Sequence, residues 1–124
     1  MSAVLAVALG GAIGAPLRYL LDLWVTRRVA GPGDVRAFPW GLLVVNVLGS
    51  LVAGVVVSVT TGDLRTLLLV GLCGAFTTFS GYGWETTRLW REHRPAFLAA
   101  VTVLPVACVA AFVIAWQISR AATG

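Results

Sequence analysis

Four apolar runs, at about residues 3–26, 40–60, 64–90 and 97–118, constrain this chain more than anything else in it. Crossing a bilayer as a helix takes about 20 mostly apolar residues. Each run meets that length, and only short connections separate them. Only helices or closed barrels satisfy every backbone polar group in hydrocarbon, and these runs lack the alternation of barrel strands. The expected fold is all-α, with four transmembrane helices in one domain over 1–124. Just 11% of the 124 residues are charged, against 59% hydrophobic, which is too few to cover a soluble globule. Met1-Ser2-Ala3 has no basic n-region, so a cleaved leader is not expected.

The nine basic residues are all arginines, and the net charge is +4. A soluble basic protein would suggest nucleic acid; here most arginines flank apolar runs, which fits anchoring at the membrane interface and no nucleic-acid partner. Arg27, Arg28, Arg36, Arg88, Arg91 and Arg94 fall on one side of a four-span topology, and Arg65 and Arg120 on the other. The positive-inside rule then favours cytoplasmic first and third loops. Gly31-Pro32-Gly33-Asp34 supplies turn chemistry in the first loop. His93, beside Arg94 and Pro95, has a turn residue's surroundings and no partner at metal-ligand spacing. Cys73 and Cys108 lie inside apolar runs and read as buried structural thiols.

The polar residues at depth are few. Arg18 would lie about 22 Å along the first helix at 1.5 Å per residue, with Asp22 four positions on as a potential pair. It reads equally as an interfacial arginine extending toward water. Asn46, early in the second run, is an amide that must find partners, either in a helix contact or along a pore. Gly10/Gly14 and Ser50/Gly54 are small-xxx-small pairs that permit close helix approach.

The third run is unlike the others. From Gly71 to Glu85 it is crowded with glycines, hydroxyls and aromatics where a lipid-facing helix would carry leucine and valine. Glycine, serine and threonine tolerate a helix interruption, expected around Gly74 to Thr78. Such a break serves either packing or the coordination of a monovalent cation by freed carbonyls. Beyond it, Phe79, Tyr82 and Thr86 form one helical stripe with Glu85 beside it. That stripe is either packing or a set of electropositive ring edges for a small anion, with Thr77, Thr78 and Ser80 as nearby donors. Glu85 reads as a gate, a proton site, a vestibule residue or an interfacial anchor.

Three stretches together resemble the Fluc/CrcB fluoride-channel family. They are Gly10-Gly11-Ala12-Ile13-Gly14-Ala15-Pro16-Leu17-Arg18-Tyr19, then Pro39-Trp40-Gly41-Leu42-Leu43-Val44-Val45-Asn46-Val47-Leu48-Gly49-Ser50, then Gly71-Leu72-Cys73-Gly74-Ala75-Phe76-Thr77-Thr78-Phe79-Ser80. The resemblance implies an antiparallel dual-topology dimer with two fluoride pores, exporting fluoride across a prokaryotic plasma membrane. It implies a structural, non-transported sodium ion (Na+) at the dimer centre, held by the Gly74 and Thr77 carbonyls. It places Asn46, Phe79, Tyr82, Thr78 and Ser80 along the pore, with Arg18 and Glu85 in structural or vestibule roles.

The chain departs from the family pattern at Tyr82, where phenylalanine is usual, at Ala75, at Gly81 and Gly83, and at Pro105 in the fourth run. Because the arginine bias favours one orientation, the dimer is expected either as a homodimer or as a heterodimer with an oppositely oriented paralogue. A proton-coupled multidrug exporter is the competing transporter class, but it needs a carboxylate deep in the first helix, and none precedes Asp22. A structural membrane subunit without transport of its own is a third reading. No nucleophile–base pair, metal cluster or phosphate loop points to an enzyme.

Overall fold

The computed structural model describes residues 2–29 and 38–124. The glycine–proline turn and Arg36 lie outside the described residues. Among those described, four helical spans are long and apolar enough to cross a membrane. The first is α1 (Ala3–Val29) and the second α2 (Trp40–Val59). The third is composite and covers Gly62–Glu92. It comprises a short α3 (Gly62–Arg65), a wide-turn π-helical segment (Thr66–Cys73), α4 (Gly74–Phe76) and, after a break, α5 (Phe79–Glu92). The fourth span is α6 (Arg94–Thr123).

The first, third and fourth spans run past their expected ends, α2 stops at Val59, and polar residues cap the turns between the later spans. His93 alone separates α5 from α6, and its Nδ1 accepts the Ala96 N–H at 3.1 Å, capping α6. Pro95 sits in the first turn of α6, where its missing N–H is harmless. At the other end, Arg65 donates from Nε to the Thr60 carbonyl and from Nη2 to the Val57 carbonyl, both at 2.8 Å. It thereby satisfies two of the carbonyls that the C-terminus of α2 leaves without helical donors.

Close packing is built on glycine. Gly10 and Gly14 of α1 are buried, and they face the π-helical segment and α4. A Cβ on Gly10 would stand 2.6 Å from the Leu72 nitrogen, and one on Gly71 would stand 3.0 Å from the Gly10 Cα. Two backbones therefore touch directly, as the small-xxx-small spacing predicts. Gly54 does the same for α2 against α6, where a Cβ would meet the Trp116 nitrogen at 3.0 Å. A small apolar cluster of Leu42, Leu89, Ala96, Ala100 and Leu104 joins α2, α5 and α6. Most large apolar side chains instead point outward, including Leu20, Val52, Val70 and Val106. That outward face suits lipid, and the chain is a multi-pass membrane protein.

The break in the third span is narrower than the sequence suggests. Gly74 is helical, at φ −62° and ψ −35°. Extended backbone is confined to Thr77 (φ −85°, ψ 161°) and Thr78 (φ −148°, ψ 117°). Positive φ occurs, among the described residues, only at Gly62. Glycine flexibility therefore does not make the break. Side chains that capture its backbone groups do.

Candidate functional site

Asn46 reaches from α2 to the break and makes two hydrogen bonds with one residue. Its Oδ1 accepts the Thr78 N–H at 2.8 Å, and its Nδ2 donates to the Thr78 carbonyl at 3.3 Å. The amide thus gives the Thr78 N–H, which has no helical acceptor, its partner and adds a second bond to the carbonyl that opens α5, which a half-buried site demands. The Thr78 hydroxyl accepts the Gly81 N–H at 3.0 Å and restarts the helix as the N-cap of α5. It also lies 3.1 Å from the Ser80 hydroxyl. Thr77 turns its hydroxyl back to the Cys73 carbonyl at 2.9 Å.

These bonds have a consequence for two carbonyls. In a continuous helix the Thr78 N–H would serve Gly74, and the Gly81 N–H would serve Thr77. Both donors are diverted, the first to Asn46 and the second to the Thr78 side chain. The Gly74 and Thr77 carbonyls are thereby left without their helical donors, three residues apart at the break.

Phe79 and Tyr82 follow on α5 with ring centroids 5.6 Å apart. The Phe79 ring is 85% exposed. Tyr82 is half-buried against the α2–α5–α6 cluster, and its hydroxyl points to the Val101 carbonyl of α6 at 3.4 Å. A cavity of about 260 Å³ opens beside the break. It brings Asn46, Thr77, Thr78, Phe79 and Tyr82 together with Ser50, Leu104, Pro105 and Cys108. From the sequence alone Ser50 reads as a packing residue, Cys108 as a buried thiol and Pro105 as a departure from the family pattern. Their place here depends on how α6 crosses α2, which no local pattern reports. Cys73 and Cys108 are both free thiols.

A second cavity, of about 290 Å³, lies on the other side of Thr78 and is more polar. Arg18, Asp22, Glu85 and Arg88 enter it, with Trp84 and Trp40 at its sides. Glu85 pairs with Arg88 at 2.6 Å, and Arg88 also reaches Glu92 at 3.1 Å. The Arg18–Asp22 pair is not formed. The Asp22 carboxylate instead accepts the Thr26 hydroxyl at 3.3 Å, and the buried Nε of Arg18 has no hydrogen-bond partner. Ser80 is exposed and adjoins Thr78 through its hydroxyl but lines neither cavity. The two cavities meet at Thr78, the one residue common to both.

The family model described as CrcB-like protein, Camphor Resistance (CrcB), matches residues 5–117. Among curated proteins, the fluoride-specific ion channel FluC of Erythrobacter litoralis is 39% identical, over 95% of this chain and 92% of its own length. The protein of the same name from Rhodospirillum rubrum is 40% identical over 81% of this chain and 80% of its own length. That of Rhizobium etli strain CFN 42 is 40% identical over 88% and 91%. These are ion channels and not enzymes. The family model reaches all four spans, these relatives match 81–95% of the chain, and the chain belongs to the CrcB-like family.

Proposed function

We propose that this protein is a fluoride channel subunit that lets fluoride leave the cytoplasm and so relieves its toxicity. The observation that carries this is the reciprocal Asn46–Thr78 pair, which fixes the break directly before the Phe79 and Tyr82 rings. Fluoride is small and strongly hydrated. A pathway must replace its water with many weak donors, since one strong site would trap it. Ring edges supply weak positive potential, and the hydroxyls of Thr78 and Ser80 supply conventional donors. Asn46 works here as the group that holds Thr78 and thereby aims Phe79. Arg18 and Arg88 would draw anions into the polar cavity, with Glu85 holding Arg88 in place.

The exposed Phe79 ring and the open cavity suit a site completed by a second chain. We place this chain in an antiparallel dimer, formed with a second copy or with an oppositely oriented paralogue, in a prokaryotic inner membrane. A sodium ion bound at the dimer centre fits the residues present. The Gly74 and Thr77 carbonyls are two of the carbonyls that the end of α4 leaves without helical donors, and neutral carbonyl oxygens suit a hard monovalent cation. The ion would supply fixed positive charge that holds the break and is not transported.

The test is fluoride efflux from liposomes holding the purified protein, with chloride as control. Selective fluoride efflux is expected. No efflux from this chain alone, but efflux once a paralogue is added, would replace the homodimer by the heterodimer. No efflux in either case would reject the channel assignment.

A further inference from the structure

The geometry points to Tyr82 and Pro105 as a matched pair: the proline uncovers a backbone acceptor beside the cavity, and the tyrosine hydroxyl closes it. Pro105 lies inside α6 and has no N–H. The carbonyl four residues earlier, that of Val101, loses its helical donor in consequence. The Tyr82 hydroxyl donates to that same carbonyl, at 3.4 Å. Prolines are tolerated in membrane helices where a neighbour satisfies the freed group. Here the neighbour comes from α5, 19 positions earlier in the chain.

The pair has a functional side that rests on the fluoride-pathway reading above. Tyr82 and Pro105 both line the cavity that holds Asn46 and Phe79. The Val101 carbonyl lies behind these two lining residues, and uncovered it would be a negative dipole next to the path an anion takes. The Tyr82 hydroxyl, 3.4 Å away, offsets part of that dipole and is itself turned to α6. Its ring is then fixed against α6, 5.6 Å from Phe79, and presents itself as an anchored phenyl. Tyr82 is thus a positioning residue whose hydroxyl is required because of Pro105. In a chain with an ordinary residue at 105, the hydroxyl would have no such acceptor to close.

A double-mutant cycle over Tyr82→Phe and Pro105→Ala tests this, read by thermal melting in detergent and by fluoride efflux. Tyr82→Phe alone leaves the carbonyl open, lowers the melting temperature by a few degrees and slows efflux about tenfold, the scale of one unsatisfied buried acceptor. In the Pro105→Ala background the new amide serves Val101, and Tyr82→Phe changes efflux by less than about twofold, on the same scale. Equal losses in both backgrounds, by melting and by efflux, overturn the pair. Coupling in melting without coupling in efflux overturns the positioning role. Coupled melting with no efflux from any of the four proteins upholds the hydrogen-bonded pair and rejects the fluoride reading instead.

Discussion

Asn46 and Thr78, 32 residues apart, exchange two hydrogen bonds in which one side-chain amide engages both backbone groups of a threonine. The interruption of the third span is held by this exchange. Asn46→Leu keeps the size of the side chain and removes both bonds. The half-buried Thr78 N–H then lacks a partner, at about 1–3 kcal/mol, while the Thr78 carbonyl keeps its bond into α5. The expected outcome is a protein destabilised by about 1–3 kcal/mol with little or no fluoride efflux. Asn46→Asp retains the acceptor for the Thr78 N–H and should keep part of the stability. Melting of Asn46→Leu within about a degree of the parent protein, a shift too small for one lost buried bond, would show that Thr78 is held by something else.

Phe79 separates function from folding in the opposite sense. Its ring is 85% exposed within the chain and touches Tyr82 at 5.6 Å between centroids. Phe79→Leu removes the electropositive edge and leaves an apolar side chain. An aromatic contact of this kind is worth about 0.5–1.5 kcal/mol beyond its buried area. Efflux should therefore fall about threefold to tenfold. Melting should shift less than in Asn46→Leu. Efflux at the parent rate would take Phe79 out of the pathway.

The four spans are legible in the sequence because hydropathy is a local property and each run is continuous. The interruption is legible in composition but not in position. Gly74 carries the expected flexibility, yet it is helical, since the residue that decides the geometry is Asn46 in a different span. The π-helical turns from Thr66 to Cys73 leave no mark, because Leu67, Leu68, Leu69 and Val70 would suit an ordinary helix equally well. Arg18 and Asp22 have the right spacing for a pair. The Thr26 hydroxyl nevertheless takes the carboxylate, and Arg18 lines a cavity whose walls come from α1, α2 and α5, which no local spacing reports. Tyr82 and Pro105 are each visible as departures from the family pattern. That they answer one another through the Val101 carbonyl is visible only once α5 and α6 are side by side.

Sodium binding by the Gly74 and Thr77 carbonyls has a readout independent of transport. A ligand that binds only the folded protein stabilises it by RT ln(1 + [L]/Kd). Exchanging sodium for choline at constant ionic strength should lower the melting temperature, and restoring sodium should recover it in a saturable way. At a hundredfold excess over Kd the gain is about 2.7 kcal/mol. Backbone ligands cannot be removed by substitution, so the side-chain check is Thr78→Val. It loses the cap to the Gly81 N–H, returns that donor toward Thr77, and should weaken the sodium response. A melting temperature indifferent to sodium would refute the cation site.

Gly10 and Gly83 form a matched pair of helical glycines with opposite expected outcomes. A Cβ on Gly10 would stand 2.6 Å from the Leu72 nitrogen and 2.8 Å from the Gly71 carbonyl carbon, backbone atoms that cannot move aside as a flexible side chain would. Gly10→Ala must push α1 away from the π-helical segment and should cost about 1–3 kcal/mol, the range of overpacked cores. A Cβ on Gly83 meets nothing within 4 Å. Gly83→Ala adds helix propensity at no steric cost and should stabilise α5 by up to about 1 kcal/mol. Melting curves of the two variants should therefore move in opposite directions. If Gly10→Ala melts with the parent protein, α1 and the third span are not in backbone contact and the packing described for them is wrong.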